Sequence, residues 1–207
     1  MITDIVFDFG NVLYQLDIDG CHNRLASLCG LDKDEFLKRM HPIIARYEKG
    51  EIGDENFIWH LQQFNQTLNP REFVEAWNSM LIGIDKKIPQ FLSQLSVRYN
   101  IYLLSNINGL HARHVDRYLQ RVLQEPQFLT QHFKQYFYSH IIHLRKPDAE
   151  TYAYVSGKIS ARHHSSVLFI DDNRENIKAA IQYGWRGQWH HPKDDIIDCI
   201  EKYLSNH

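Results

Sequence analysis

Residues 167–184 read VLFIDDNRENIKAAIQYG. Four apolar residues, Val167 to Ile170, stop abruptly at two acids, Asp171 and Asp172. A near-continuous apolar run of this length predicts a strand covered on both faces, as in a parallel sheet. The period then changes. Ile177, Ala180 and Ile181 recur at helical spacing over 173–183, and Gly184 is a natural stop for that helix. Asp172 and Glu175 have the spacing of a capping box with Asp in place of Ser or Thr, so Asp172 is expected to cap the helix.

The same pattern, a strand ending in polar residues, occurs twice upstream. Ile5-Val6-Phe7 ends at Asp8, and Ile101-Tyr102-Leu103-Leu104 ends at Ser105-Asn106. A helix over 87–97 precedes the second, with Ile88, Phe91, Leu92 and Leu95 on one face. Strands alternating with helices predict an α/β fold with a parallel sheet and right-handed crossovers. Ligands in such sheets bind beyond the carboxyl ends of the strands. All three polar clusters lie at those ends, so they are expected to meet in one crevice.

Between the first two strands lies a long insert without an evident strand. Helical spacing recurs in it at Leu25, Leu28, Phe36, Leu37 and Met40, at Phe57, Ile58 and Leu61, and at Phe73, Ala76, Trp77 and Met80. The expected division is a sheet core of 1–16 and 86–207 carrying a small helical bundle of 17–85, joined by linkers near 14–19 and 82–86. Residues 110–137 are too long for one crossover helix and read as helix–loop–helix broken at Pro126.

Bulk properties exclude several classes. The formal net charge of −2 and the scattered Lys and Arg residues give no nucleic-acid footprint. No apolar run is long enough to cross a bilayer, and the N-terminus lacks the basic region of a signal peptide. Three cysteines without a CxxC pair argue against a disulfide framework and for a reducing, cytoplasmic setting. The histidines form no HxxxH or HExxH arrangement, so zinc is not expected. The sequence leaves the oligomeric state open.

Asp8 or Asp17 could be the reactive acid of the N-terminal stretch. Asp8 follows an apolar strand that can hold its carboxylate rigidly, whereas Asp17 and Asp19 follow Tyr14-Gln15-Leu16 and read as a solvated turn. Phosphoryl transfer needs an in-line nucleophile, a cation and donors for the equatorial oxygens. A carboxylate can be that nucleophile, and Mg²⁺ takes one or two carboxylates besides phosphate and water. Asp8 and Asp172 can supply carboxylates, Lys146 a compact positive charge, and Ser105 and the main-chain N–H groups after Asp8 hydrogen bonds. Two adjacent acids, Asp171 and Asp172, are costly without a cation.

The ordered series FDFGNVL, LLSNIN, RKPD and FIDDNRENI resembles the four motifs of the haloacid dehalogenase superfamily of hydrolases. The resemblance spans nearly the whole chain, cap insert included. It implies a Rossmann-like core with a helical cap. It also implies Asp8 as nucleophile, Lys146 and Ser105 as catalytic partners, and a Mg²⁺ held by Asp8, the Gly10 carbonyl and Asp172. Asp171 takes a secondary metal role, where relatives often carry Gly or Glu. Gly10, Asn11 and Asn106 are expected to contact substrate. FDFGNVL, LSNIN and YEKGEIGDENF in the insert are closer still to a subgroup containing α-D-glucose-1-phosphate phosphatases and the phosphatase domain of epoxide hydrolases.

Most phosphatases of that superfamily carry a second Asp two residues after the nucleophile, serving as general acid and base. Gly10 occupies this position. A positioned general acid is worth about 10²–10⁴-fold in rate. The substrate could therefore have a good leaving group, such as an anomeric sugar phosphate. The acid could instead come from Asp17, Asp19 or the cap, or the protein could bind a phosphorylated metabolite without much turnover. Dehalogenases of the superfamily also lack the second Asp, but they need no metal, which leaves Asp171-Asp172 without a use. Arg46, Tyr47, Glu48 and Lys49 read equally as substrate contacts or a solvated helix end. The expectation is a cytoplasmic, Mg²⁺-dependent phosphatase of a small phosphorylated molecule, plausibly a sugar phosphate, with neither nucleic acid nor membrane as partner.

Overall fold

In a computed structural model, residues 1–67, 69–159, 161 and 163–206 are described. The chain begins with β1 (Asp4–Phe7) and β2 (Tyr14–Leu16), followed by α1 (Ile18–Leu28), α2 (Lys33–Glu48), α3 (Asp54–Gln62) and α4 (Pro70–Asn78). It continues through β3 (Leu81–Ile84), α5 (Ile88–Ser96), β4 (Asn100–Ser105), α6 (Gly109–Arg121), α7 (Phe128–His132) and β5 (Gln135–Tyr138). It closes with α8 (Ser139–Ile142), α9 (Ala149–Ser156), β6 (Val167–Asp171), α10 (Arg174–Tyr183), β7 (Arg186–Trp189) and α11 (Ile196–Ser205).

Five strands form a parallel sheet in the order β5-β4-β1-β6-β7. The fold is therefore α/β with a Rossmann-like sheet, as the alternation of strands and helices predicts. Successive strand residues point to opposite faces, and the three apolar runs show it. Ile5, Phe7, Ile101, Leu103, Leu168 and Ile170 enter one core, under α5 and α11. Val6, Tyr102, Leu104, Val167 and Phe169 enter the other, under α9 and α10. Truncating a fully buried phenylalanine such as Phe7 or Phe169 to Ala costs about 3–5 kcal/mol.

The order of strands positions the chemistry. β1 lies between β4 and β6, so Asp8, Ser105 and Asp171 end three neighbouring strands. Helix α10 ends where expected. Gly184 adopts φ 109°, the left-handed turn that favours glycine, and its N–H closes the last turn on Ala180 and Ile181. Ile177 and Ala180 are buried as the spacing predicts, but Ile181 is exposed.

Helices α1 to α4 form a separate apolar cluster around Leu25, Phe36, Met40, Phe57, Phe73 and Trp77. The insert is not wholly helical, however. Both stretches read as linkers contribute to strands: β2 pairs antiparallel with β3, forming a short ribbon through which the chain enters and leaves the helices. Segment 110–137 also differs from the helix–loop–helix expectation, because α7 is short and is followed by β5, the sheet's edge strand. The three cysteines are unpaired. No helix among the described residues is long and apolar enough to cross a membrane.

Candidate active site

Asp8 leaves β1 with its N–H donating to the Ile170 carbonyl at 2.8 Å, which continues the ladder one residue past the strand. The backbone then turns sharply. The Phe9 carbonyl accepts from the N–H groups of Val12, Leu13 and Tyr14. Asn11 sits at φ 54°, a conformation asparagine tolerates better than most residues.

Lys146 lies at the centre of the site, buried to 1% exposure. Its Nζ is 2.7 Å from Asp8 Oδ1 and 2.7 Å from Asp171 Oδ2, and it donates to the Leu104 carbonyl at 2.9 Å. All three ammonium protons thus have acceptors. Asp171 is fully buried, and both of its oxygens are engaged. Oδ1 accepts from the Asn173 N–H at 2.7 Å, Oδ2 from Lys146, and both from Asn176 Nδ2. Asp172 is half-buried, and its Oδ2 accepts from Asn11 Nδ2 at 3.1 Å. Its backbone carbonyl accepts from the Trp189 indole at 2.7 Å.

Asp8, Asp171 and Asp172 each offer a carboxylate oxygen, all within 4.8 Å of one another. Burial pushes the Asp8 carboxyl up, Lys146 pulls it down, and Asp171 and Asp172 push it up again. Burial likewise raises Asp172, opposed by the Asn11 hydrogen bond and reinforced by Asp171. Burial acts to lower the Lys146 ammonium, but Asp171 and Asp8 together raise it. Three carboxylates against one lysine leave two formal negative charges in a buried space. A divalent cation with hard oxygen ligands fits that deficit.

The structure places the other expected residues as follows. Ser105 ends β4 and, with Gly10, Asn11 and Asn106, lines a cavity of about 300 Å³ above Asp8 and Lys146. The side chain of Asn106 is committed to the protein: its amide donates to the Lys146 carbonyl at 2.9 Å and its oxygen accepts from the Lys146 N–H at 3.0 Å. Asn11 is similarly committed, accepting from Leu16 N–H while it donates to Asp172. Asn106 thus anchors the main chain at Lys146, and Asn11 the carboxylate of Asp172. Asp172 does not cap α10. Asn173 does, accepting from the Glu175 N–H at 2.8 Å. Asn176 and Trp189 were missed. A polar residue on the buried face of a helix was the available signal for Asn176, and the sequence carries none for Trp189.

The roof of the cavity comes from the helical insert: Ile18, His22, Leu37, His41, Ile44 and Glu48. Glu48 is bound to Arg145 at 2.6 Å, beside Lys146 in the chain. Lys49 pairs with Asp148 at 2.8 Å, Arg46 with Glu51, and Tyr47 is buried. Of those four residues only Glu48 lines the cavity. Asp17 caps α1 through Gly20 N–H, and Asp19 pairs with Lys33.

No family model matches the chain. A curated D-ribitol-5-phosphate phosphatase from Bacteroides thetaiotaomicron is 26% identical over 194 residues, 89% of this chain and 90% of the relative. A HAD-like family hydrolase from Porphyromonas gingivalis superposes with a TM-score of 0.85 at 24% identity, covering 99% of this chain and 98% of that one. A HAD family enzyme from Bacteroides thetaiotaomicron, solved with magnesium and inorganic phosphate, gives a TM-score of 0.81 at 24% identity over 94% and 97% of the two chains. In fold, in the order of its motifs and along nearly its whole length, this chain is similar to hydrolases of the haloacid dehalogenase superfamily.

Proposed function

We propose that the protein is a Mg²⁺-dependent phosphatase of small phosphorylated metabolites, sugar phosphates foremost, working through an aspartyl-phosphate on Asp8. The observation that carries this reading is the Asp8 carboxylate at a strand end, held by buried Lys146 and within ligand distance of Asp172. The phosphatase relative and the magnesium–phosphate complex of a similar fold support it. A core of 1–16 and 86–207 with a cap of 17–85 is part of the same reading.

Bound Mg²⁺, held by Asp8, the Gly10 carbonyl and Asp172, would screen the charge of the phosphoryl group and of the carboxylates around it. The chain's own residues carry the rest. An Asp8 carboxylate oxygen attacks phosphorus as the ester P–O bond breaks. Ser105 and main-chain N–H groups after Asp8 donate to the phosphoryl oxygens, and the Lys146 ammonium, its protons held by the protein, stabilises their charge from beside Asp8. Water then attacks phosphorus, the bond to Asp8 breaks, and phosphate leaves. Asn106 and Asp171 position Lys146, and Asn11 positions Asp172. The cavity suits a compact leaving group.

The competing reading is a metal-independent 2-haloacid dehalogenase, in which Asp8 attacks carbon. Gly10 favours it, and the carboxylate cluster counts against it. The test is hydrolysis of an aryl phosphate with and without Mg²⁺, beside Asp8→Asn and beside chloride release from 2-haloacids. Metal-dependent phosphate release that vanishes in Asp8→Asn is expected. Chloride release without phosphate release would overturn the proposal.

A further inference from the structure

Cleaving an alkyl phosphate expels a poor leaving group, and a positioned proton donor speeds that step by about 10²–10⁴-fold. The loop after Asp8 provides none. A Cβ added at Gly10 would lie 2.7 Å from Leu16 Cδ1, so the direction in which a side chain would project is filled with hydrocarbon. Asp17 and Asp19 do not line the cavity, and both are engaged elsewhere.

Elimination narrows the remaining titratable groups that line the cavity among the described residues. Asp8 and Lys146 are paired, and Asp172 belongs to the metal face. Glu48 is held by Arg145. His111 is buried with both ring nitrogens engaged, one by Asn108 and one by the Trp77 carbonyl. Tyr14 also lines the cavity, but burial and Tyr118 push its phenol up, so it does not give and retake a proton near neutrality. His22 and His41 remain, both on the cap. His41 is exposed. His22 lies in the second turn of α1, half-buried, with its ring centroid 6.5 Å from that of Phe36. Neither of its ring nitrogens hydrogen-bonds a described residue.

We propose that His22 is the proton donor and acceptor of the reaction, supplied by the cap in place of the carboxyl missing at position 10. This rests on the phosphatase reading above. In the first half-reaction the imidazolium N–H gives its proton to the ester oxygen as the P–O bond breaks and the bond to Asp8 forms, and the alcohol leaves neutral. In the second half-reaction the neutral imidazole takes a proton from water as the water oxygen attacks phosphorus and the bond to Asp8 breaks. The imidazolium is thereby restored. Burial holds the His22 imidazole below the ordinary histidine value, Asp19 on its own helix opposes this, and Lys33 and His41 of α2 reinforce it. Both protonation states are then accessible on the acid side of neutrality.

The test compares wild type, His22→Gln and His41→Gln on Mg²⁺-supported hydrolysis of phosphate monoesters, from aryl to alkyl leaving groups, across pH. The ratio kcat/KM reports the first half-reaction. His22→Gln is expected to lose about 10²–10⁴-fold on alkyl esters and to keep most activity on aryl esters. The fall of wild-type alkyl kcat/KM with rising pH should also disappear in His22→Gln, and added imidazole should restore His22→Ala in part. A folding defect scales every ester alike, so the alkyl-to-aryl ratio isolates proton transfer, and the wild-type pH profile needs no variant. Loss that is independent of leaving group in a folded variant, or loss in His41→Gln in place of His22→Gln, overturns the proposal alone. Wild-type protein that cleaves no ester overturns the phosphatase reading, and this proposal with it.

Discussion

Lys146 holds two buried carboxylates and one carbonyl with a single ammonium group. Removing it leaves Asp8 and Asp171 buried without a counter-charge. Breaking such a group by deleting one partner costs about 3–5 kcal/mol. Lys146→Met should therefore lower the urea midpoint markedly, an effect that Mg²⁺ should partly offset. An unchanged midpoint would mean that the lysine is dispensable to the fold. Gly10 makes a subtler prediction. Gly10→Ala must push Leu16 off its rotamer, at a cost of about 0.5–1.5 kcal/mol, and Leu16→Ala in the same chain should relieve it. Independent, additive effects in that double-mutant cycle would show that the two do not share the space. At this scale the sequence shows its acids well, because an apolar strand that stops at Asp8 or Asp171 is a local signal. The commitments of Asn11 and Asn106 are not visible there. Each depends on a hydrogen-bond partner brought in by the fold, 161 residues away for Asn11 and forty for Asn106.

Between elements, one closed network joins α4 to α6. The Trp77 indole donates to Asn108 Oδ1, Asn108 Nδ2 lies 3.1 Å from His111 Nδ1, and His111 Nε2 reaches the Trp77 carbonyl at 3.0 Å. The Trp77 and His111 rings stack at 4.6 Å. Burial pushes the His111 imidazole down to about 4, against a hydrogen bond to the Trp77 carbonyl that raises it. The folded state therefore prefers neutral His111, while the unfolded chain takes up a proton near 6.5. Stability from this group is full above about pH 6.5 and falls as pH drops toward 4, by an amount on the order of a few kcal/mol. The melting temperature of wild type should drop more steeply over that window than that of His111→Gln. Parallel curves would contradict this. The elements that escaped the sequence are short. β2 and β3 are three and four residues long and sit beside strong helical spacing. β5 is an edge strand, Gln-Tyr-Phe-Tyr, with its first two residues exposed, so it lacks the apolar run that marks the central strands.

Across the whole molecule, the helical insert meets the sheet core through the α4–α6 network, through the β2–β3 ribbon, and through contacts from the end of α2 to the start of α3: Glu48 to Arg145, Lys49 to Asp148, Tyr47 accepting from Leu110 N–H, and Asp54 paired with Arg113. The cavity above Asp8 is lined from both the insert and the sheet. The architecture was legible because parallel strands covered on both faces are apolar throughout. The closure was not, because it depends on charged pairs between residues 59 to 99 positions apart. A cation that binds only the folded site should stabilise it by about 2.7 kcal/mol at a hundredfold excess over Kd, and the melting temperature should rise with its concentration. Asp172→Asn should abolish most of that shift, whereas Asp19→Asn, at an exposed pair with Lys33, should retain it.

The central claim is that Asp8 carries the phosphoryl group. The most direct measurement is the mass of the protein after acid quench during steady-state turnover of an aryl phosphate with Mg²⁺, followed by mapping of the modified peptide. A gain of one phosphoryl group on the peptide containing Asp8, absent in Asp8→Asn, is the predicted result. Turnover without any covalent phosphate, undiminished in Asp8→Asn, would contradict the account.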